Sequence, residues 1–189
     1  MALSLNISNT EVQGCKKISM ESFKDQRGFF REQFNIIPFE QAGLPTDYPQ
    51  DNISWSYKNV LRGLHMQTVN PQGKLVSCPV GKIFDVCVDV RPNSPTFGKV
   101  ASAIIGTNDA LFCPPGTLHG FLALEDSMVY YKCTTLYDKN SDGGVYAMDP
   151  KLEIPWPKLD TTCVMSDKDM HLPTFEEFFK RCEWKTTEK

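Results

Sequence analysis

The stretch Ile83–Val90 alternates cleanly between two sets of side chains. Phe84, Val86, Val88 and Val90 fall on one face, with Ile83, Asp85, Cys87 and Asp89 on the other. The first set predicts a core face; the second, carrying two carboxylates, predicts a mixed or wetter one. Val100–Ile105, Ala110–Cys113, Gly120–Leu124 and Met128–Thr135 read as further strands. Turn chemistry separates them: Pro92-Asn93-Ser94-Pro95, Gly106-Thr107-Asn108-Asp109, Pro114-Pro115-Gly116 and Glu125-Asp126. Many short strands with turns between them predict an antiparallel sandwich or barrel rather than a doubly wound sheet. Helical periodicity is confined to small pieces. In PTFEEFFKRCEW, from Pro173, Thr174 and Glu177 form a capping box. Phe175, Phe178, Phe179 and Cys182 then repeat at helical spacing. A shorter helix is expected over Pro38–Ala42. With no repeat, low-complexity tract or linker, the 189 residues read as one domain, 1–189. Its strand-rich core is expected over about 50–150 and its helical segment over about 173–184.

Composition narrows the function classes. A net charge of −3 lacks the basic excess of a general nucleic-acid binder. No apolar run approaches the roughly 20 residues of a membrane span, and the amino-terminal residues lack a signal-peptide pattern. The seven cysteines are scattered, with no C-x-x-C pair, which suits reduced thiols in the cytoplasm. There is no glycine-rich phosphate loop, which argues against a dinucleotide on a Rossmann unit.

Candidate chemistry concentrates in QDNISWSYKNVLRGLHMQTVNPQGK, from Gln50 to Lys74. His65 lies between Arg62 and Lys74, and nearby cations disfavour imidazolium, leaving a neutral ring able to accept a proton. The fixed cations suit an anionic substrate or an enolate. The competing interpretation is a strand histidine satisfied by a neighbour. Only three histidines are present, His65, His119 and His171, and Met66-Gln67 follows His65. The His-x-His pair used by many metal-binding barrels is therefore missing, although two histidines and a carboxylate can still assemble in space. In YYKCTTLYD, Tyr131 and Tyr137 share parity, so a regular strand would point both to one side. A phenol suits proton donation inside a pocket, but a tyrosine is as readily a core residue with a tethered hydroxyl.

Taken in order, DQRGFFRE at Asp25, QDN at Gln50, VLRGLHMQ at Val60, QGKLV at Gln72 and GKIFDVCVDVRPNSPTFG at Gly81 lead to PPGTLHGF at Pro114, YKCTTLYD at Tyr131 and MSDKD at Met165. This series, covering nearly the whole chain, resembles the dTDP-4-dehydrorhamnose 3,5-epimerase family. The resemblance implies an all-β, cupin-type double-stranded β-helix or jelly roll with a few short peripheral helices. It further implies a cytoplasmic homodimer acting on a dTDP-sugar, with no cofactor and no metal. It casts His65 as the base, Asp169 as the carboxylate orienting it, Lys74 as the cation at the enolate oxygen, and Tyr137 as the acid on the opposite face. Arg27, Phe30, Glu32, Gln50, Asn52, Arg62, His119 and Tyr131 fall at positions the family uses to bind substrate. Apart from the family, Arg27 and Phe30 also fit a turn, and His119 a strand-entry cap. Leu136, Ile53 and Leu118 stand where many members carry an aromatic residue, a histidine and an alanine. These departures bear on nucleotide preference and on whether both carbons are epimerised. The alternatives are a single-site epimerase on a related nucleotide sugar, a metal-dependent cupin enzyme, and a non-catalytic sugar-nucleotide binding module.

Overall fold

A computed structural model describes residues 5–159 and 161–181. The first elements are β1 (Leu5–Asn9), β2 (Lys16–Met20), the hairpin β3 (Phe23–Asp25) and β4 (Gly28–Phe30), and helix α1 (Ile36–Gln41). Eight strands follow: β5 (Gln50–Ser56), β6 (Leu61–Gln67), β7 (Lys74–Val80), β8 (Ile83–Asp89), β9 (Val100–Ile105), β10 (Asp109–Cys113), β11 (Thr117–Ala123) and β12 (Ser127–Cys133). A short β13 (Asp142–Gly144), a 3₁₀ turn (Pro150–Leu152), α2 (Asp167–Met170) and α3 (Phe175–Arg181) complete the chain. The expected strands are present, Val100–Ile105 with the expected ends and the others with ends shifted by at most three residues. Cys182 and Trp184 of the expected final helix lie outside the described residues.

Strands β5 to β12 build two facing antiparallel sheets, ordered β10-β7-β12-β5 and β6-β11-β8-β9. Successive strands cross between the sheets except at the β8–β9 hairpin, so the fold is a cupin-type jelly roll. The first sheet is extended by β2 and β1, the second by β13.

Three apolar layers hold this arrangement. Val76, Ile83, Cys87, Leu111, Phe121 and Val129 pack between the sheets. Phe84, Val86, Val88, Leu118 and Leu122 face outward from the second sheet and are covered by Leu152, Trp156 and Phe178. Ile18, Leu75 and Phe112 on the other outer face are covered by Phe39 and Leu44. Strand β8 is therefore buried on both faces. The alternation separates an outer apolar set from an inner set that contains Asp85, Cys87 and Asp89. The inner set is mixed as expected but dry, because the first sheet lies over it and the C-terminal segment closes the opposite side. Helix α3 seats Phe178 through the expected capping box: the Thr174 N–H donates to Glu177 Oε2 at 2.9 Å and the Glu177 N–H to Thr174 Oγ1 at 3.3 Å.

Asp89 anchors the β8–β9 turn. Its carboxylate accepts from the Arg91 guanidinium and from the Ser94 and Thr96 hydroxyls. Burial alone would raise the Asp89 pKa, but these hydrogen bonds outweigh it and bring it down to about 2. A carboxyl depressed in the folded state contributes stability above its unfolded pKa and loses it as pH falls through the folded value. Wild type is expected to exceed Asp89→Asn by about 2 kcal/mol near neutrality. The gap should close between about pH 4 and pH 2, as urea midpoints would show; a gap independent of pH would contradict this anchoring.

Candidate active site

His65 stands on β6 with its ring half-buried, and Nε2 lies 2.7 Å from Oδ1 of Asp169 on α2. Asp169 is buried; its Oδ2 accepts the Gly63 N–H at 3.2 Å, and its own N–H donates to the N-cap hydroxyl of Ser166. Burial would raise this carboxyl, but hydrogen bonding and the charge of His65, with the Gly63 and Ser166 bonds, hold it below the usual range. It is therefore a carboxylate at neutral pH, fixed on one nitrogen of the imidazole.

Arg62 and His65 are three residues apart, so a regular strand would send them to opposite faces. Both nevertheless line one cavity of ≈ 510 Å³. The pairing of β6 with β11 shifts register at this point, between His119 opposite His65 and Phe121 opposite Arg62. Gly63 makes the shift possible: its φ is +111°, and a Cβ there would lie 2.8 Å from both Gly120 Cα and the His119 carbonyl oxygen. The Arg62 guanidinium is held outward by Ser56 Oγ and the Trp55 carbonyl, each at 2.9 Å.

The wall of this cavity also contains Lys74, His119, Tyr131 and Lys168. Burial holds the Lys74 ammonium below its ordinary pKa, with nearby thiol and carboxyl groups, Asp142 and Asp85 among them, acting in the opposite direction. His119 is buried, with Nε2 2.7 Å from Asp85 Oδ1. It is thus a pocket-wall residue within β11 and not a strand-entry cap.

An adjoining cavity of ≈ 310 Å³ shares His65, Lys74, Tyr131 and Lys168, and adds Gln50, Asn52, Tyr137 and Asp142. Tyr137 reaches it by a route different from the one expected. Strand β12 stops at Cys133, so Tyr131 and Tyr137 do not share strand parity. Buried or half-buried glutamines pin the loop that follows. Gln72 donates to the Thr135 carbonyl at 2.7 Å and Gln67 to the Leu136 carbonyl at 3.3 Å, while Gln50 Oε1 accepts the Tyr137 N–H at 2.7 Å. The phenol donates to Asp142 Oδ2 at 3.1 Å, and Lys168 Nζ donates to the same oxygen. Desolvation and the Asp142 carboxylate raise the Tyr137 pKa, so at neutral pH it is a phenol with a proton to give. Gln67, Asp142 and Lys168 were not singled out from sequence. Lys168 was within reach, being part of MSDKD; the others depend on contacts between distant segments.

Arg27, Phe30 and Glu32 are not brought to this cavity within one chain. They belong to the β3–β4 hairpin and the residues after it. The Arg27 side chain pairs with Asp25, Phe30 is 71% exposed, and Glu32 accepts from Asn35. Leu136 and Ile53 are exposed and Leu118 fully buried.

Metal-like proximity occurs elsewhere among the described residues. The buried thiols of Cys15, Cys87 and Cys113 lie within 4.8 Å of one another, as do the side-chain donors of Asp85, Cys113 and His119. His65 belongs to neither group. No described helix is long and apolar enough to cross a membrane.

Comparison with known proteins agrees with this arrangement. A sequence model of dTDP-4-dehydrorhamnose 3,5-epimerase matches residues 9–177. The enzyme of that name from Methanothermobacter thermautotrophicus is 42% identical over 172 residues, 89% of this chain and 93% of the relative. The Escherichia coli K12 protein of the same name is 41% identical over 181 residues, 93% and 97% of the two chains. A crystal structure of the Legionella pneumophila dTDP-6-deoxy-D-glucose-3,5-epimerase, in complex with dTDP-4-keto-L-rhamnose, superposes with a TM-score of 0.86 at 39% identity, covering 90% of this chain and 93% of that one. This chain belongs to the dTDP-4-dehydrorhamnose 3,5-epimerase family.

Proposed function

We propose that this protein is an isomerase that converts dTDP-4-dehydro-6-deoxy-D-glucose to dTDP-4-dehydro-β-L-rhamnose by inverting sugar carbons 3 and 5. The observation that carries the proposal is the shared cavity wall of a carboxylate-bound imidazole and a protonated phenol, with a half-buried ammonium lining both parts. The ketone at carbon 4 acidifies the C–H bonds on either side of it. His65 takes a proton from one of these carbons, and the bonding electrons move onto the ketone oxygen as an enolate. Lys74 stabilises that oxygen, and Asp169 stabilises the imidazolium formed. Tyr137 then returns a proton from the other face; the electrons reform the ketone, and the centre is inverted. Before the second carbon reacts, the half-buried His65 imidazolium releases its proton to solvent and the half-exposed Tyr137 takes one up, so that base and acid are both restored. Arg62, Gln50, Asn52, His119 and Tyr131 hold the sugar nucleotide around this centre, Arg62 presenting a planar, permanently charged fork to the diphosphate.

The test is turnover of the dTDP-4-keto sugar in D₂O, followed by NMR. Deuterium at both carbons 3 and 5 is expected. Label at one carbon alone would make the protein a single-site epimerase, and no label would make it a binding module. Tyr137→Phe should still exchange deuterium through His65 while losing inversion at least about tenfold. Equal loss of exchange and inversion would remove Tyr137 from the role of opposite-face acid.

The protein works as a cytoplasmic homodimer. Strand β5 ends its sheet with Ile53 and Trp55 exposed, and Phe29 and Phe30 are exposed on the hairpin. An open edge with apolar side chains is a surface suited to a second copy. Arg27, Phe30 and Glu32, remote from their own chain's cavity, serve the partner's. Mixing inactive His65→Asn and Arg27→Ala chains should then restore activity to about a quarter of wild type, because half of the dimers carry one intact site of two. Mixtures no more active than their components would place Arg27 at its own chain's site.

A further inference from the structure

The cavity presents a second imidazole held like the first. His119 on β11 is the Cα partner of His65 on β6, and its Nε2 lies 2.7 Å from Asp85 Oδ1, as that of His65 lies 2.7 Å from Asp169 Oδ1. Asp85 is fully buried, on the inner face of β8, two strands away from β6. Its other oxygen, Oδ2, has no hydrogen-bond partner among the described residues. A carboxylate placed there without water and with half of its acceptor capacity unused is costly for the fold alone. Phe or Leu at this position would extend the apolar layer between the sheets, so Asp85 needs a reason connected with its one partner.

That partner is the pocket-wall histidine. With Nε2 committed to Asp85, Nδ1 is the ring atom left without a protein partner among the described residues. The groups packed around the pair are Lys74, which interacts electrostatically with Asp85, and the thiols of Cys15, Cys87 and Cys113. We propose that Asp85 is a positioning residue: it fixes the His119 ring so that Nδ1 is presented to a negatively charged oxygen of the bound sugar nucleotide. Two kinds of such oxygen exist in the substrate, those of the diphosphate and the one that develops charge on the ketone. Either would accept a hydrogen bond from Nδ1–H, with the Asp85 side chain holding the other ring nitrogen in place. This inference rests on the sugar-nucleotide reading of the cavity but not on turnover.

The test is nitrogen-15 NMR of histidine side chains in the wild-type protein, followed through nucleotide addition. The His119 Nε2 should stay protonated throughout, and Nδ1 should shift on binding. A shift with dTDP identifies a phosphate oxygen as the partner. A shift only with the dTDP-4-keto sugar identifies the ketone oxygen. No Nδ1 shift with either ligand, while other resonances report binding, overturns the proposal. Failure of the epimerase reading would leave this readout intact, since binding alone produces it. The second arm compares Asp85→Asn with His119→Asn and the double variant. Asp85→Asn should weaken dTDP binding, or slow exchange at the sugar carbons, at least tenfold, with no further loss when His119 is already replaced. Equal losses in both backgrounds would mean that Asp85 acts on the fold and not through His119. Should Asp85→Asn fail to fold, the wild-type nitrogen-15 measurement decides by itself.

Discussion

Replacing His65 with asparagine is expected to lower turnover roughly 10²–10⁴-fold while dTDP binding stays within about threefold of wild type. Asparagine keeps a polar group near Asp169 but cannot accept a proton from carbon, so the loss falls on the chemical step. In the proposed reading other residues hold the nucleotide, Arg62, Gln50 and Asn52 among them, and none of these depends on the imidazole for its own hydrogen bonds. Two measurements separate these effects. An assay coupled to a 4-reductase reads turnover of the keto sugar, and calorimetry reads dTDP binding. Turnover within threefold of wild type would remove His65 as the base. A parallel collapse of binding would instead make it a nucleotide contact.

The second large effect is structural. Gly144→Ala is expected to destabilise the fold by about 3 kcal/mol or more, beyond the usual cost of inserting one methyl group into a packed site. Gly144 sits on β13 opposite His65, and an added Cβ would fall 1.9 Å from the Leu64 carbonyl oxygen. That atom is fixed: the Leu64 carbonyl accepts the Val145 N–H at 3.0 Å, and the Leu64 N–H donates to the Val145 carbonyl at 3.1 Å. Relief therefore requires β13 to separate from β6, taking apart two backbone hydrogen bonds beside the base. Gly106→Ala is the control, because its Cβ would meet nothing closer than 3.8 Å. Urea unfolding of the two variants should differ by several-fold in destabilisation. Equal midpoints would show that β13 yields without cost, and that His65 is not braced from this side.

The same strand pair shows where local pattern stops being informative. Within Gln50–Lys74, cations were the visible neighbours of His65, and they suggested a neutral ring. In the folded chain its direct partner is a carboxylate 104 residues away in sequence. Likewise, period-two alternation separates Arg62 from His65 and unites Tyr131 with Tyr137. The fold reverses the first through a register shift at Gly63, and it brings the two tyrosines to one cavity without shared parity, because the strand stops at Cys133. Neither break has a strong local signature, because a glycine or a threonine pair is compatible with continuing strand. The resemblance supplied Asp169 and Tyr137 from ordered motifs, but not the glutamines that aim the tyrosine loop.

By itself the sequence determined the layered β architecture, since alternation and turn residues act over a few neighbours and survive in the folded chain. It also determined the stock of acid, base and cation that the chemistry uses. Beyond the Asp169–His65 pair that the resemblance implied, tertiary structure alone decided which of these groups meet: Asp85 behind His119, and Asp142 under Tyr137. Those pairings join residues 34 and 5 positions apart, and the first depends on burial between the two sheets. A carboxylate becomes a fixed partner for an imidazole only where water is excluded, and that exclusion is a property of the packed layers rather than of any stretch of chain.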